Sequence, residues 1–437
     1  MNNNIKVLIL AAGNGTRMKS NKPKVLHEIS GKPMINYIID TCFDAGIKNV
    51  SIVLGNKQEL IKQFIPDNVN IVYQKQQLGT GDAIKSASKY LEKFNGKLLI
   101  LYGDMPLIRK ETIKNIIKNT KSNASIMSFI TDQPKGYGRV IINKDKSVKV
   151  IEEKNTIPEE KAIKLCYSGI VCASSKKIFL ALNKIKKDKK SKEYLFTDIF
   201  QIFEKLNVPV KVLKGSETEF KGINDRKQLI EVDKIVQDKL KISFMHKGVT
   251  ILSPDTVYIT YGAKIGSDVL ISPNSFIGKN VYIKTSVIIK HGCSIEDAII
   301  ENGCEIGPLS RIRKNTKIGR NTKIGNFVEV KNSTIGYNSK VNHLAYIGDT
   351  KIGNKTNIGA GTITCNYDGV NKNKTIIGNN VFVGSNCSLI APLKIDDSSF
   401  IAAGSTISKN VSKNDFSIAR ARQNIIKNAR KKFLKGK

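Results

Sequence analysis

The sequence contains no apolar run of roughly 18 residues or more, so a membrane-spanning helix is not expected. The apolar stretch ahead of Gly13 is short for a signal-peptide core and no small-residue cleavage site follows it. It reads as a first buried strand. Cysteine is sparse: the seven residues Cys42, Cys166, Cys172, Cys293, Cys304, Cys365 and Cys387 form no CxxC pair. That spacing argues against a disulfide framework or a zinc site and for reduced thiols in a cytoplasm. Acidic residues are few, 37 against 72 Lys and Arg, for a formal net charge of +35. An excess of that size raises the question of nucleic acid. The basic residues are spread along the whole chain without aromatic interleaving or a recognised motif, so no nucleic-acid partner is expected. A local share of the charge suits anionic substrates. The one basic cluster, Lys427 to Lys437, reads as a solvated tail.

With 437 residues, 40% of them hydrophobic, the chain is long enough for two or three domains. Up to about residue 226 short apolar runs (Ile5 to Leu10, Val50 to Leu54, Leu98 to Tyr102) alternate with helix-length stretches (Met34 to Ala45, Gly81 to Phe94). This predicts a Rossmann-like α/β domain with a mixed, mostly parallel sheet. Residues 227–247 carry Leu229, Ile230, Val232, Ile235, Val236, Leu240 and Ile242 without Gly or Pro, a connecting helix.

From residue 248 to 437 the pattern changes. Branched aliphatic residues recur every six positions from Ile259 to Ile295. With one-residue slips they continue through Ile300 to Val330, Ile335 to Ile347 and Ile352 to Ile358, then resume from Ile377 to Ile407. A period of six fits neither a 3.6-residue helix nor a hairpin sheet. It fits a parallel β-helix whose three-sided coils stack their inward side chains into one column. The repeat breaks between Ile358 and Ile377, and the loop from Gly359 to Lys374 is where function is expected.

Leu10-Ala-Ala-Gly-Asn-Gly-Thr-Arg-Met18 follows the first strand directly. Its glycines let the backbone approach a ligand, and successive N–H groups can hold phosphate oxygens. The spacing is neither the Walker nor the dinucleotide fingerprint, and Gly-x-Gly alone serves a tight turn as readily. Arg17 and Lys24 supply the cations a triphosphate needs as charge moves to pyrophosphate. Asp104, in Tyr102-Gly-Asp-Met-Pro106, stands at a strand end, where ligands of open α/β sheets bind. In the second half His343 lies between the repeat positions Val341 and Ile347, so its imidazole should point outward or to a corner. A group titrating near neutrality suits a general base.

The first motif, with Lys22-Pro-Lys24, Gln77-Leu-Gly-Thr-Gly81, Tyr102 to Pro106, Gly136-Tyr-Gly-Arg139, Glu152 and Gly222-Ile-Asn-Asp-Arg226, resembles the signature of sugar-1-phosphate nucleotidyltransferases. Together with the hexad repeats, the chain up to about Arg422 resembles the bacterial bifunctional N-acetylglucosamine-1-phosphate uridyltransferase/glucosamine-1-phosphate acetyltransferase family. The resemblance implies a left-handed β-helix, a cytoplasmic homotrimer without membrane insertion, and a place in cell-wall precursor synthesis. In the first half Leu10, Ala11, Ala12, Gly13, Gln74, Gly79 and Thr80 would hold the nucleoside of UTP, with Arg17 and Lys24 on the phosphates. Tyr102, Gly103, Gly138, Glu152 and Tyr167 would complete the site for N-acetylglucosamine 1-phosphate, and Asp104 and Asn224 would bind Mg²⁺. In the second half His343 would be the base. Arg313, Lys331, Tyr346, Asn357 and Lys372 would surround glucosamine 1-phosphate. Ala360, Asn366, Tyr367, Ser385, Ala403 and Arg420 would line acetyl-CoA, with Asn366 and the Tyr367 backbone polarising the thioester carbonyl. Cys365 would be a packed bystander. The sequence departs from the family at Asn14 (Lys in the family), at Tyr167-Ser168-Gly169 (Asn-Thr-Gly) and at Asn342 (Gly).

Overall fold

The computed structural model describes residues 4–55, 57–121, 123–189 and 191–430, so most of the basic tail lies outside the described residues. The chain forms two compact units, Met1–Val236 and Gln237–Lys437. The helix Arg226–Met245 spans the division and ends two residues short of the end of the expected connecting segment, 227–247.

In the first unit the strands Ile5–Leu10, Val50–Leu54 and Lys97–Tyr102 form where the apolar runs predict them. Ile5–Leu10 pairs in parallel with both of the others, and Asn70–Tyr73 extends that side. Leu165–Ser174 runs antiparallel to Lys97–Tyr102, followed by Ala124–Ile130 and Val210–Lys214, so the sheet is mixed. Val7 and Ile9 pack with Ile35, Ile38 and Ile39 of the helix Met34–Asp44. Leu8 and Leu10 pack with Ile84, Phe179 and Phe200. Alternate residues of one strand thus feed two cores, as a strand covered on both faces must. The helix expected from Gly81 to Phe94 is instead two pieces, Thr80–Lys85 and Ser88–Leu91. Between them the Ser86 hydroxyl donates to the Asp82 carbonyl at 3.0 Å, a side chain competing with the helix ladder.

In the second unit every hexad residue from Ile259 to Ile407 is interior, none more than 8% exposed. They sit on strands of two to four residues in three parallel sheets, which take the chain in rotation. The first side contains Lys323–Asn326 and Lys340–His343, the second Glu329–Lys331 and Tyr346–Gly348, and the third Thr334–Ile335 and Thr350–Ile352. Successive coils stack in register, for example Ile312 on Val330 and Val330 on Ile347. The corners require left-handed backbone, and Asn, Asp and Gly supply most of it, as at Asn274, Asn315, Asn321 and Gly361.

The one-residue slips at Ile295 to Ile300, Val330 to Ile335 and Ile347 to Ile352 all fall at the corner between the second and third sides. Asp297, Asn332 and Asp349 make the shortened turn there with φ of 47°, 47° and 51°. The repeat does not break at Ile358, contrary to expectation. Thr364 takes the next inward place, fully buried and in register with Leu389. Its hydroxyl oxygen accepts from the Gly348 N–H at 2.8 Å, so a polar side chain is tolerated in the column. Only residues 366–374 leave the coil, at that same second–third corner, before Thr375–Ile377 resumes it.

Candidate active sites

The first unit opens a cleft of about 800 Å³ at the C-terminal ends of Ile5–Leu10 and Lys97–Tyr102. These neighbouring parallel strands diverge into connections on opposite sides, the usual place for a ligand in an open α/β sheet. Leu10, Ala11, Ala12, Gly13, Arg17, Lys24, Gln74, Gly79, Thr80, Tyr102, Asp104 and Glu152 all line it. The glycine turn holds its shape through Gly15, whose φ of 61° is left-handed and whose added Cβ would lie 2.6 Å from the Lys24 Cβ.

Four polar groups meet on one wall of this unit. Lys24 Nζ lies 2.5 Å from Asp104 Oδ2 and 3.4 Å from Asn224 Oδ1, and Arg17 donates to Asn224 Oδ1 at 2.8 Å. The Ile223 N–H donates to the Asp104 carbonyl at 3.0 Å, which joins the two segments carrying the oxygen donors. Two side-chain oxygens on joined segments, with cations between them, are a donor set suited to a hard divalent ion and the phosphates it bridges. Glu152, also in the lining, accepts from the Thr197 hydroxyl at 3.1 Å. Burial raises its carboxyl above the usual value. Burial, then the neighbouring Glu152, also pushes the Tyr102 phenol up.

Four of the expected residues stand apart from the cleft lining: Asn224, which meets it through Arg17 and Lys24, and Gly103, Gly138 and Tyr167. Gly103 packs behind it, where an added Cβ would meet Ile35 Cδ1 at 2.8 Å. Gly138 is paired with Tyr167 in the adjoining strands. Tyr167 itself is buried edge-to-face on Phe200 with ring centroids 5.8 Å apart, and its hydroxyl donates to the Gly169 carbonyl at 3.0 Å. The phenol that replaces the family's Asn is thus a core residue here. Asn14 lines the cleft without a cation. Gln77, whose amide donates to the Ala12 carbonyl and braces the glycine turn, is a positioning contact that motif spacing does not reveal.

In the second unit most of the expected acetyltransferase residues fall on two neighbouring corners. Along the first–second corner successive coils are tied by the backbone: Gly361 N–H to the His343 carbonyl at 3.3 Å, Asn386 N–H to Ala360 at 2.7 Å, and Gly404 N–H to Ser385 at 2.7 Å. Arg420 adds a side-chain bond to the Ala403 carbonyl at 2.8 Å. His343, Ala360, Ser385, Ala403 and Arg420 therefore form one ascending ladder. His343 is exposed, outside the aliphatic column, with Nδ1 2.8 Å from Asn326 Oδ1.

Along the second–third corner stand Arg313, Lys331, the loop residue Lys372, and Asn366. Lys372 above all, then loss of solvent and the charge of Arg313, hold the Lys331 ammonium below the usual lysine value. Cations gathered this closely mark an anion site. Asn366 is buried and donates to Asp349, and its carbonyl accepts from the Asn373 N–H at 2.7 Å, which fixes the root of the loop. Between the corners the outward face of the second side carries Tyr346, in register with Glu329. Glu329 is taken up by Arg313 at 2.6 Å. Tyr367 is exposed at the start of the loop, and Cys365 is half-buried beside it. Asn357 begins a strand of the first side, in register with Lys340 and Phe382, apart from the cation cluster of its own chain.

Residues 7–195 match the MobA-like NTP transferase domain, residues 374–409 the bacterial transferase hexapeptide (six repeats), and residues 248–316 and 294–387 the GMPPB C-terminal domain. Bifunctional protein GlmU of Thermosipho melanesiensis is 43% identical, over 96% of this chain and 96% of that protein. The same protein of Geotalea uraniireducens is 40% identical over 96% and 97%, and that of Clostridium novyi 39% over 96% and 97%. The chain belongs to the GlmU family. It is a two-activity transferase, with a nucleotidyltransferase fold in its first unit and a left-handed hexapeptide-repeat β-helix in its second. The backbone accommodates the departure at Asn342. That residue lies in the extended strand Lys340–His343 and is absent from the positive-φ positions, so the backbone there asks for no glycine.

Proposed function

We infer that the chain makes UDP-N-acetylglucosamine in two steps, acetylation of glucosamine 1-phosphate followed by uridylyl transfer to the product. Full-length kinship with GlmU proteins carries the reading, because it spans both units at once. The paired corners of the β-helix and the polar quartet of the cleft support it.

In the first step His343 accepts a proton from the sugar ammonium or amine, and the freed lone pair attacks the thioester carbonyl of acetyl-CoA. A C–N bond forms, the C–S bond breaks, and coenzyme A leaves as a thiolate that takes up a proton. Arg313, Lys331 and Lys372 hold the sugar phosphate with Tyr346. Acetyl-CoA lies along the ladder from Ala360 to Arg420. Asn366, one of whose N–H groups serves Asp349, and the Tyr367 backbone face the developing oxyanion. No enzyme-bound acyl group is needed, in keeping with a Cys365 that stays a bystander.

In the second step a phosphate oxygen of N-acetylglucosamine 1-phosphate attacks the α-phosphorus of UTP, and the bond to the departing pyrophosphate breaks in line. Leu10 to Gly13 with Gln74, Gly79 and Thr80 hold the nucleoside. Arg17 and Lys24 turn to the phosphates, releasing Asp104 and Asn224. Those two oxygens fit Mg²⁺, which neutralises phosphate charge when bound. Glu152 and the backbone of the Gly138 strand face the sugar. Most of the acceleration comes from positioning and charge neutralisation.

The protein works in the cytoplasm as a homotrimer. No described helix is long and apolar enough to cross a membrane. The outward side chains Ile288, Ile299, Ile376, Phe382 and Phe400, between 37 and 44% exposed, give the prism faces apolar strips for a second copy to cover. The test is two assays on one preparation. Thiol release is followed with glucosamine 1-phosphate and acetyl-CoA, and pyrophosphate release with N-acetylglucosamine 1-phosphate, UTP and Mg²⁺. His343→Ala abolishes the first alone and Asp104→Ala the second alone. Wild-type protein that releases neither product overturns the reading.

A further inference from the structure

Among the described residues of the β-helix, two strands reach four residues, Lys323–Asn326 and Lys340–His343, while all others there have two or three. They are neighbours on the first side, and the extra length brings Asn326 into register with His343 one coil later. Such an extension needs the chains to approach closely. Gly325 permits it: an added Cβ would lie 1.8 Å from the Asn342 carbonyl oxygen. Both strands end in left-handed turns occupied by bulky apolar residues, Phe327 at φ 56° and Leu344 at φ 47°, as the preceding coil does at Leu309 (φ 55°), where most other corners use Asn, Asp, Ser or Gly. Left-handed backbone disfavours such side chains, and strain held in place by its surroundings gathers at working sites. The Leu344 N–H donates to the Asn326 carbonyl at 3.0 Å, closing the pair of turns.

The outcome of this local construction is the contact between Asn326 Oδ1 and His343 Nδ1 at 2.8 Å. A carboxamide oxygen only accepts, so Nδ1 must carry the imidazole proton, and the lone pair is left on Nε2. Glu329, the carboxylate in the neighbouring strand, is held by Arg313 at 2.6 Å and Arg311 at 3.8 Å. The orienting partner is therefore neutral.

We propose that Asn326 is the positioning residue of the acetyl transfer, holding His343 in the tautomer and orientation that present Nε2 to the amine. This rests on the reading of His343 as the base. A base of this kind contributes about 10² to 10⁴ in rate, and losing its orientation removes a part of that. Asn326→Ala lowers kcat for thiol release about 10- to 100-fold with a small change in KM. Asn326→Asp keeps the acceptor oxygen and adds a negative charge, which favours the imidazolium. Its acid limb moves to higher pH, and above that limb most of the rate returns.

The chain has four histidines, so ¹⁵N-labelled imidazoles are resolvable. His343 reports Nδ1–H in the wild type and a shift toward Nε2–H in Asn326→Ala. An unchanged His291 imidazole signal in the same samples shows that the β-helix is folded. An Asn326→Asp variant no better than Asn326→Ala at any pH, or an unchanged tautomer in Asn326→Ala, overturns the proposal. Undiminished thiol release in His343→Ala overturns instead the reading it rests on.

Discussion

Gly348→Ala is expected to damage acetyl transfer through a residue that touches no substrate. Gly348 is buried at the end of a second-side strand, and the Tyr346 ring folds over it. A Cβ at 348 would lie 2.5 Å from the Tyr346 hydroxyl oxygen and 2.7 Å from Cε1 and Cζ, where ordinary contact begins at 3.4 Å. The phenol must retreat by about 1 Å (3.4 − 2.5), and a hydrogen bond near 2.8 Å does not survive that displacement. Losing one bond from the phenol to an anionic substrate costs about 1.5–3 kcal/mol. At about 1.4 kcal/mol per tenfold, KM for glucosamine 1-phosphate rises roughly 10- to 100-fold. His343 ends the preceding strand, three residues before Tyr346, so kcat changes less. The backbone can stay in place, since the clash is with the far end of a side chain. Steady-state thiol release at varied sugar phosphate measures the effect, with pyrophosphate release from N-acetylglucosamine 1-phosphate as the internal reference. A folded variant whose KM stays within about twofold of the wild type would refute the reasoning, which rests on that one bond.

Two further expectations follow from the packing. Thr364→Val gives the column the aliphatic residue found at its other hexad positions, yet it strands the buried Gly348 N–H that Thr364 Oγ1 accepts at 2.8 Å. The lost partner costs about 1–3 kcal/mol and outweighs the gain in apolar contact, so the variant is destabilised, seen as faster hydrogen exchange at Gly348. Slower exchange would mean that the hexad pattern alone governs that place. Glu152 has its carboxyl raised by burial, so its ionised form is disfavoured in the folded chain. Stability linked to it is present below the ordinary carboxylate value near 4.3 and is lost as pH rises through the raised folded value. Glu152→Gln removes that loss. Its melting temperature relative to wild type should rise at pH 8 and converge at pH 4, and a difference independent of pH would contradict the burial argument.

The hexad period was enough to predict the β-helix, because each coil repeats one local requirement: an inward branched side chain followed by a tight corner. From Ile259 to Ile407 local pattern and global fold ask for the same residue at the same place, so the column is legible without coordinates. The glycine turn after Ile5–Leu10 is legible for a similar reason, since strand, turn and cations are neighbours in sequence. The slips and the projecting loop appear in sequence as separate irregularities. Their alignment on one corner emerges from winding, which stacks residues a full coil apart. Thr364 was lost from the pattern because its hydroxyl is satisfied by a residue 16 positions earlier, a partner no periodicity reveals.

Long-range contact likewise put Lys24 on Asp104 and Arg17 on Asn224, across 80 and 207 residues, and drew Tyr167 into the core behind the cleft. Asn326 falls 17 residues before His343, a spacing that gains meaning when the rise of the coil sets one above the other. Repetition along the chain writes the scaffold in local terms that any short window can carry. The partnership between distant polar groups depends on where the folded backbone delivers them, and so it belongs to three dimensions.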